Sequence, residues 1–342
     1  MANGYLYSAF ETSVGSEANT PTLSTKVIYH PLLNSQPALG AAPLSRDDEL
    51  RNVDEPLAVI SEAYNPSWSL DTRAYPDTVG FEFKGMLGAP TTTTGNGVIT
   101  DPDSVAIPTG AYRHVWTAPY SSGASPQTTT RKWAYKDETF FLLGQGCSTT
   151  NITIDSPASG GVMLKANGPA NYLGRISDPS LSPAYEALTI PPFERAHLTI
   201  STWLGSTATT EDFNVQIDNP VEQVRTLASA SKYPDLVEKG DGPVVVSGSI
   251  PKRHINTTDY DALINATSFT VKVKWQSTVV IGATTYKYAL WLELNNAQYT
   301  GGDPDALQNK RRHGASFNWK ATYGGSAGSS KWTLVNATSS YA

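Results

Sequence analysis

The sequence predicts a mainly β protein: two tandem antiparallel β-sandwich or barrel-like domains, each with one short flanking α-helix, plus long loops and an extended N-terminal arm. Three observations lead there. Between Phe269 and Gln276 the chain alternates strictly, Phe269, Val271, Val273 and Trp275 on one side and Thr270, Lys272, Lys274 and Gln276 on the other, the pattern of a strand with a dry and a wet face. The composition is turn-rich, with 27 Gly, 23 Pro and only 16% charged residues. An order of events also recurs at an offset of about 180 residues: paired strands, a strand closing on an arginine (Arg73, Arg253), a short helix, then more strands. Ser69/Ser249, Arg73/Arg253 and Thr78/Thr258 align across this repeat.

Residues 1–26 are polar and Ser/Thr-rich and read as an arm with little core of its own. Lys26–His30 is a short strand. Pro31–Pro56 follows as a long connection carrying the charged knot Arg46, Asp47, Asp48, Glu49, Leu50, Arg51, and a loop of that length is more often a contact device or a lid than filler. Leu57–Ile60 and Trp68–Tyr75 read as strands. Pro76, Asp77 and Thr78 suit a helix start, and Val79, Phe83, Met86 and Leu87 mark one face before Gly88 ends it. After a Thr/Gly/Pro loop at residues 89–111 come strands at 112–117, 131–143, 150–154 and 161–167. The Pro- and Ser-rich stretch 168–192 places the boundary, giving a first domain over 1–180 and a second over 190–342.

Alternation resumes beyond it, at Leu198 and Ile200, at Phe213, Val215 and Ile217, and from Val244 to Ile250. Thr258 with Asp261 forms a capping-box pattern, and Tyr260, Leu263 and Ile264 predict the apolar face of a second helix. Strands follow at 269–276, 288–294, 317–323 and 332–334, with the basic run Lys310, Arg311, Arg312, His313 in a turn-rich segment between them.

The net charge is −6, unevenly spread: residues 1–190 hold 11 basic against 18 acidic residues, residues 191–342 hold 14 against 13. That balance gives no basic patch to grip phosphates, so tight DNA binding is not expected. A single cysteine, Cys147, excludes an internal disulfide and a multi-cysteine zinc site. No signal peptide and no membrane span are read from the sequence.

Nothing points to an enzyme or a cofactor. The five histidines (His30, His114, His197, His254, His313) show no metal-binding spacing, and His114 and His197 read as polar positions on half-exposed strands. The glycines around Cys147 read as a turn, and Asp235, Glu238 and Asp241 as solvated loop carboxylates rather than a glycosidase pair. Eight Trp and 17 Tyr would suit a carbohydrate-binding β module of a virion or cell-surface protein, the alternative reading. Trp275, Trp319 and Trp332, however, keep step with aliphatic residues and read as core. Many strands have wet faces, among them Asn214, Gln216 and Asp218, and open sheet edges recruit another chain unless guarded.

The succession DDELRN (47–52), SWSLDTRAYPDTVGF (67–81), PTGAYRHVW (108–116), IPPFERAHLT (190–199), IDNPVEQVRTL (217–227) and YPDLVEKGDGPVVVSGSIPKR (233–253) resembles the major tail tube protein of long, non-contractile-tailed bacteriophages, in a large two-domain form. The resemblance implies a structural, non-enzymatic virion protein without cofactors, made in the host bacterial cytoplasm and assembled into the tail tube. Small members carry one β domain with a flanking helix and close as rings of six. Two fused domains imply three chains per ring, with rings stacked into a tube that conducts DNA without holding it. Implied partners are copies of the chain itself, a tape measure protein inside the tube, and tail terminator and tail tip proteins. On this reading Arg46, Asp47, Asp48, Glu49 and Arg51, with Lys310, Arg311 and Arg312, make contacts between subunits, and Asn214, Gln216 and Asp218 face the lumen.

Overall fold

The computed structural model describes residues 5–11, 28–30, 38–45, 59–118, 130–136, 141–175, 190–204, 210, 212–225, 233–240, 242–252, 257–304, 315–323 and 328–341. In chain order these form β1 (Tyr5–Phe10), β2 (Ile28–His30), β3 (Ala38–Ser45), β4 (Val59–Arg73), α1 (Val79–Leu87), β5 (Thr91–Thr94), β6 (Tyr112–Thr117), β7 (Arg131–Lys136), β8 (Phe141–Cys147), β9 (Asn151–Ser156), β10 (Met163–Pro169) and β11 (Tyr172–Arg175). The second half continues with β12 (Leu198–Thr202), β13 (Phe213–Asp218), β14 (Val221–Val224), β15 (Leu236–Lys239), β16 (Val245–Lys252), α2 (Thr257–Ile264), β17 (Phe269–Val280), β18 (Lys287–Pro304), β19 (Ala315–Ala321) and β20 (Lys331–Asn336). The protein is mainly β, its large sheets antiparallel throughout.

Strand pairing follows one scheme twice. In the first half β3, β4, β10 and β9 lie side by side, while β1, β7, β8 and β11 form a second sheet extended by β2. In the second half β13, β16, β19 and the C-terminal part of β18 adjoin in the same succession. β12, β17, the N-terminal part of β18, and β20 repeat the other sheet. The helix follows the second strand of the first set each time. What β8 and β9 do as two strands, broken at Ser148–Thr150, β18 does as one 18-residue strand with a register shift between Tyr299 and Gly301. Among the described residues two hairpins have no counterpart across the halves, β5–β6, which adds to β20, and β14–β15.

The halves are joined by main-chain pairing. β9 of the first half lies antiparallel to β13 of the second, from Phe213 opposite Ser156 to Asp218 opposite Asn151, so one 13-stranded sheet runs through both. Its dry side carries Trp68, Leu70, Ile152, Ile154, Leu164, Phe213, Val215, Ile217, Val246, Ile250, Phe317 and Trp319, all buried in one core.

Several sequence expectations need correction. Residues 1–26 are not all arm, because β1 pairs along its whole length with β7. The 31–56 connection contains a strand, β3. The run 131–143 is two strands, β7 and the start of β8. His114 is fully buried, its ring nitrogens within reach of Thr92 Oγ1 at 2.8 Å and the Thr338 carbonyl at 2.9 Å. On α2 the core side is Asp259 and Ala262, whereas Tyr260 and Ile264 are 47% and 62% exposed. A charge explains that inversion: Asp259 is drawn inward by Lys252 Nζ at 2.7 Å, both side chains buried.

The first half buries its helix in a related way. Glu82 on α1 accepts two parallel hydrogen bonds from the Arg131 guanidinium, at 2.9 and 2.8 Å, and Arg131 also donates to Thr149 Oγ1 at 2.7 Å. Phe10, Trp68 and Trp133 present ring faces to the same cation within 5.0–5.6 Å. Gly85 is required beside it, since a Cβ there would meet Arg131 Nη2 at 2.6 Å. Glu82→Ala leaves the guanidinium buried without its counterion and lowers unfolding free energy by about 3 to 5 kcal/mol in urea titration, while Glu82→Leu combined with Arg131→Met loses much less.

Candidate assembly interface

Alternation gives the long sheet a polar face. Reading across it, β4 contributes Ser67, Ser69 and Asp71, β10 Lys165 and Asn167, and β9 Asn151, Thr153 and Asp155. Beyond the joint, β13 contributes Asn214, Gln216 and Asp218, β16 Ser247 and Ser249, and β19 Ser316, Asn318 and Lys320, all intermediate or exposed. Successive strands keep these residues on one side because the side-chain period is two. Amides and hydroxyls dominate over the charges: Lys165 lies opposite Asp71, Gln216 Nε2 donates to both Asp218 oxygens at 2.9 Å, and Asn151 Nδ2 donates to Asp218 Oδ1 across the β9–β13 ladder. The three residues singled out on β13 therefore stand together at the joint between the halves.

The same sheet ends in two strand edges that are open among the described residues. β3 closes the order on one side and pairs only with β4. β18 is paired on both sides up to Ala297, with β17 and β19 there, and from Gln298 to Pro304 with β19 alone. Under the repeated scheme the open part of β18 matches β9, and β3 matches β13, the two strands whose edges meet inside the chain. Unpaired backbone of this kind is a template for another strand. The charged groups Arg46, Asp47, Asp48, Glu49, Arg51 and Lys310, Arg311, Arg312 lie outside the described residues.

Two clasps cross between the halves, and neither was legible in the sequence. The loop after β5 lies over the outer face of the second half. There Asp101 Oδ1 accepts the Asp103 and Val105 amides at 2.8 and 2.9 Å, and the Tyr286 hydroxyl donates to Asp101 Oδ2. Asp103 meets Lys272 Nζ at 2.7 Å, Lys274 Nζ at 3.1 Å and Trp291 Nε1 at 3.1 Å. In return the β14–β15 hairpin reaches the first half, where Gln223 Nε2 donates to the Pro66 and Ala170 carbonyls at 2.9 Å and Tyr233 packs between Tyr64 and Tyr172. The signal for the first clasp is the Asp-Pro-Asp turn, whose side chains cap their own loop. Its lysine partners, about 170 residues away, leave no local trace.

The tryptophans are core residues rather than a platform for sugars. Seven of the eight tryptophans are at most 5% exposed, and the eighth, Trp203, is wedged against Phe213, Phe269 and Trp319. Among the described residues no cluster of His, Cys, Asp or Glu could hold a metal, and no helix is long and apolar enough to cross a membrane.

The fold is that of a mainly β protein whose long sheet carries a polar face bounded by edges open among the described residues. The sequence profile of the phage tail tube protein family matches residues 1–321, and the chain belongs to that family. It is thus a structural component of the virion tail. No curated protein sequence matches it.

Burial alone would raise the Asp103 pKa, but hydrogen bonds from Lys272, Lys274 and Trp291 outweigh it and lower it from 3.8 to about 2. A depressed carboxyl stabilises the docked loop fully above its ordinary pKa and loses that contribution as pH falls through the folded value. Protection of the loop amides of Asp103 and Val105 against hydrogen exchange, relative to their intrinsic rates, is expected to fall between about pH 4 and 2, and in Asp103→Asn to be lower already at neutral pH.

Proposed function

We propose that three copies of this chain close a ring of six similar β units, and that such rings stack into the tail tube through which the genome is ejected. The observation that supports this most is the β9–β13 ladder. It shows how one half meets the other edge to edge, and the strands left open, β18 from Gln298 to Pro304 and β3, are the ones the same joint would use between chains. A head-to-tail contact repeated by rotation closes when the angle divides a full turn, and the chain is then read as two tandem domains, over 1–180 and 190–342, derived from one unit.

In that ring the long sheet turns its polar face to the channel, with Asn214, Gln216 and Asp218 at each internal joint. Amides and hydroxyls, with Lys165 and Lys320 as the lysines among the residues named on that face, offer passing DNA few cationic contacts, so few counterions are exchanged and the duplex slides. Arg46, Asp47, Asp48, Glu49 and Arg51 from one ring, with Lys310, Arg311 and Arg312 as complement, would set register between subunits. Exposed ion pairs contribute about 0 to 1 kcal/mol each and leave adhesion to strand pairing and apolar burial. A tape measure protein would occupy the lumen before DNA, with terminator and tip proteins at the two ends. Synthesis in the host bacterial cytoplasm precedes incorporation into the virion.

Purified protein is expected to form rings or hollow filaments in negative-stain electron microscopy, with six density lobes per ring and three chains by native mass spectrometry. A species that stays monomeric at high concentration and seeds no filament would overturn the proposal, and six chains per ring would overturn its stoichiometry.

A further inference from the structure

The two helices hold matching places in the repeated scheme but sit in different surroundings. Eight of the nine residues of α1 are buried, and the second half does much of the covering. Asn336 Nδ2 donates to the Pro76 carbonyl just before the helix at 3.0 Å, and Asn219 Nδ2 donates to the Met86 carbonyl near its end at 3.2 Å. Phe83 packs on Trp332 with ring centroids 4.8 Å apart, and Tyr341 lies edge-on to Phe81 at 4.8 Å. Gly80 is as close as a residue can come to that tail, since a Cβ would meet the Tyr341 ring at 2.2 Å. Thus α1 is wedged at the joint of the halves, beside the β9–β13 ladder. By contrast α2 buries only Asp259 and Ala262 and leaves Tyr260 and Ile264 in solvent.

We infer that the Tyr260–Ile264 face of α2 is an interface, covered in the assembled tube by the next copy of this chain. The inference rests on the ring reading above. Whatever rotation carries the first half onto the second carries α1 onto α2, and it carries the second half onto the first half of the following chain. The cover that α1 receives from within its own chain is then delivered to α2 from outside. Two large apolar side chains one turn apart, exposed while Ala262 and Leu263 of the same helix pack on the core, are the surface that such a cover removes from water. Under the repeated scheme β11 of the next chain stands where β20 stands at the internal joint, so it is the strand that approaches this face.

Ile264→Cys provides the test, because Cys147, the chain's single cysteine, is fully buried and does not label. In unassembled protein the new thiol is expected to react with a maleimide at the rate of an exposed cysteine, and in purified tubes at least about 10-fold more slowly. Equal rates in both forms would overturn the inference while the tubes themselves uphold the ring reading. A folded Ile264→Cys or Tyr260→Asp variant, judged by circular dichroism, that no longer assembles under conditions where the unaltered protein does also supports it; normal assembly by Tyr260→Asp paired with Ile264→Asp would count against it. Failure of the unaltered protein to assemble sinks both readings at once.

Discussion

A β-strand left with one bare edge must find hydrogen-bond partners for a row of amides and carbonyls, and the β9–β13 ladder is where this chain meets that demand internally. Six residue pairs align there, Phe213 with Ser156 through to Asp218 with Asn151. Much else in the molecule is arranged along that joint. The helix α1 is wedged beside it, with second-half Asn219 donating to its last turn. The β14–β15 hairpin returns from just beyond β13 to bond Pro66 and Ala170, and the β5–β6 hairpin extends the second-half sheet at β20. Without the ladder each half would present a sheet border to solvent, and these clasps would bridge separate bodies rather than stiffen one sheet.

The helices show one packing problem solved twice with different residues. Each brings a carboxylate to the buried side, Glu82 in the first half and Asp259 in the second, and a strand supplies the cation. Arg131 answers as a planar fork, bonding both Glu82 oxygens and Thr149 while its faces lie among Phe10, Trp68 and Trp133. Lys252, a point charge, reaches Asp259 and the Leu204 carbonyl. The Tyr299 hydroxyl supplies a further hydrogen bond to the same Asp259 oxygen and itself accepts one from Trp203. Burying an ion pair is weak as a source of stability but strict as a specifier. A helix that slid by one residue would strand its carboxylate in a core of aromatic rings. That is the physical reason Tyr260 and Ile264 do not join Leu263 in the inner face that their apolar spacing suggests.

Strand interiors were legible in the sequence wherever one face is dry and the other wet: Phe269 to Gln276, Phe213 to Asp218 and Phe317 to Ala321 all sit as the period of two requires. Strands without that contrast were not. Residues 38–45, ALGAAPLS, have no β-branched residue and carry a proline, yet they form β3 because β4 offers an edge to pair with. His114 gave no sign of burial, since its partners Asn336 and Thr338 are more than 200 residues away. The candidate polar face was readable as alternation on β13, but which strands flank it was not, because pairing across 57 to 73 residues leaves no mark on either strand. The Asp103 clasp is illegible for a related reason: an aspartate in a Pro-rich turn looks the same whether or not two lysines converge on it.

Fusion of two similar units changes the thermodynamics of the assembly proposed for them. A ring of six separate subunits must form every joint between free molecules, each losing translational and rotational freedom. With the units in pairs, half of the joints are made during folding, at the effective concentration of a tethered partner, which for short connections is on the order of millimolar. The internal joint can then be elaborated in ways a symmetric one cannot. The β5–β6 hairpin, without a counterpart among the described residues of the second half, bonds to β20, and its loop is held by Asp103 to Lys272 and Lys274. A symmetric ring would have to place such an insertion at every joint or at none. In the proposed assembly the first half carries a clasp at the internal joint, while β3 and the end of β18 stay open and α2 keeps an exposed face for the joint between chains.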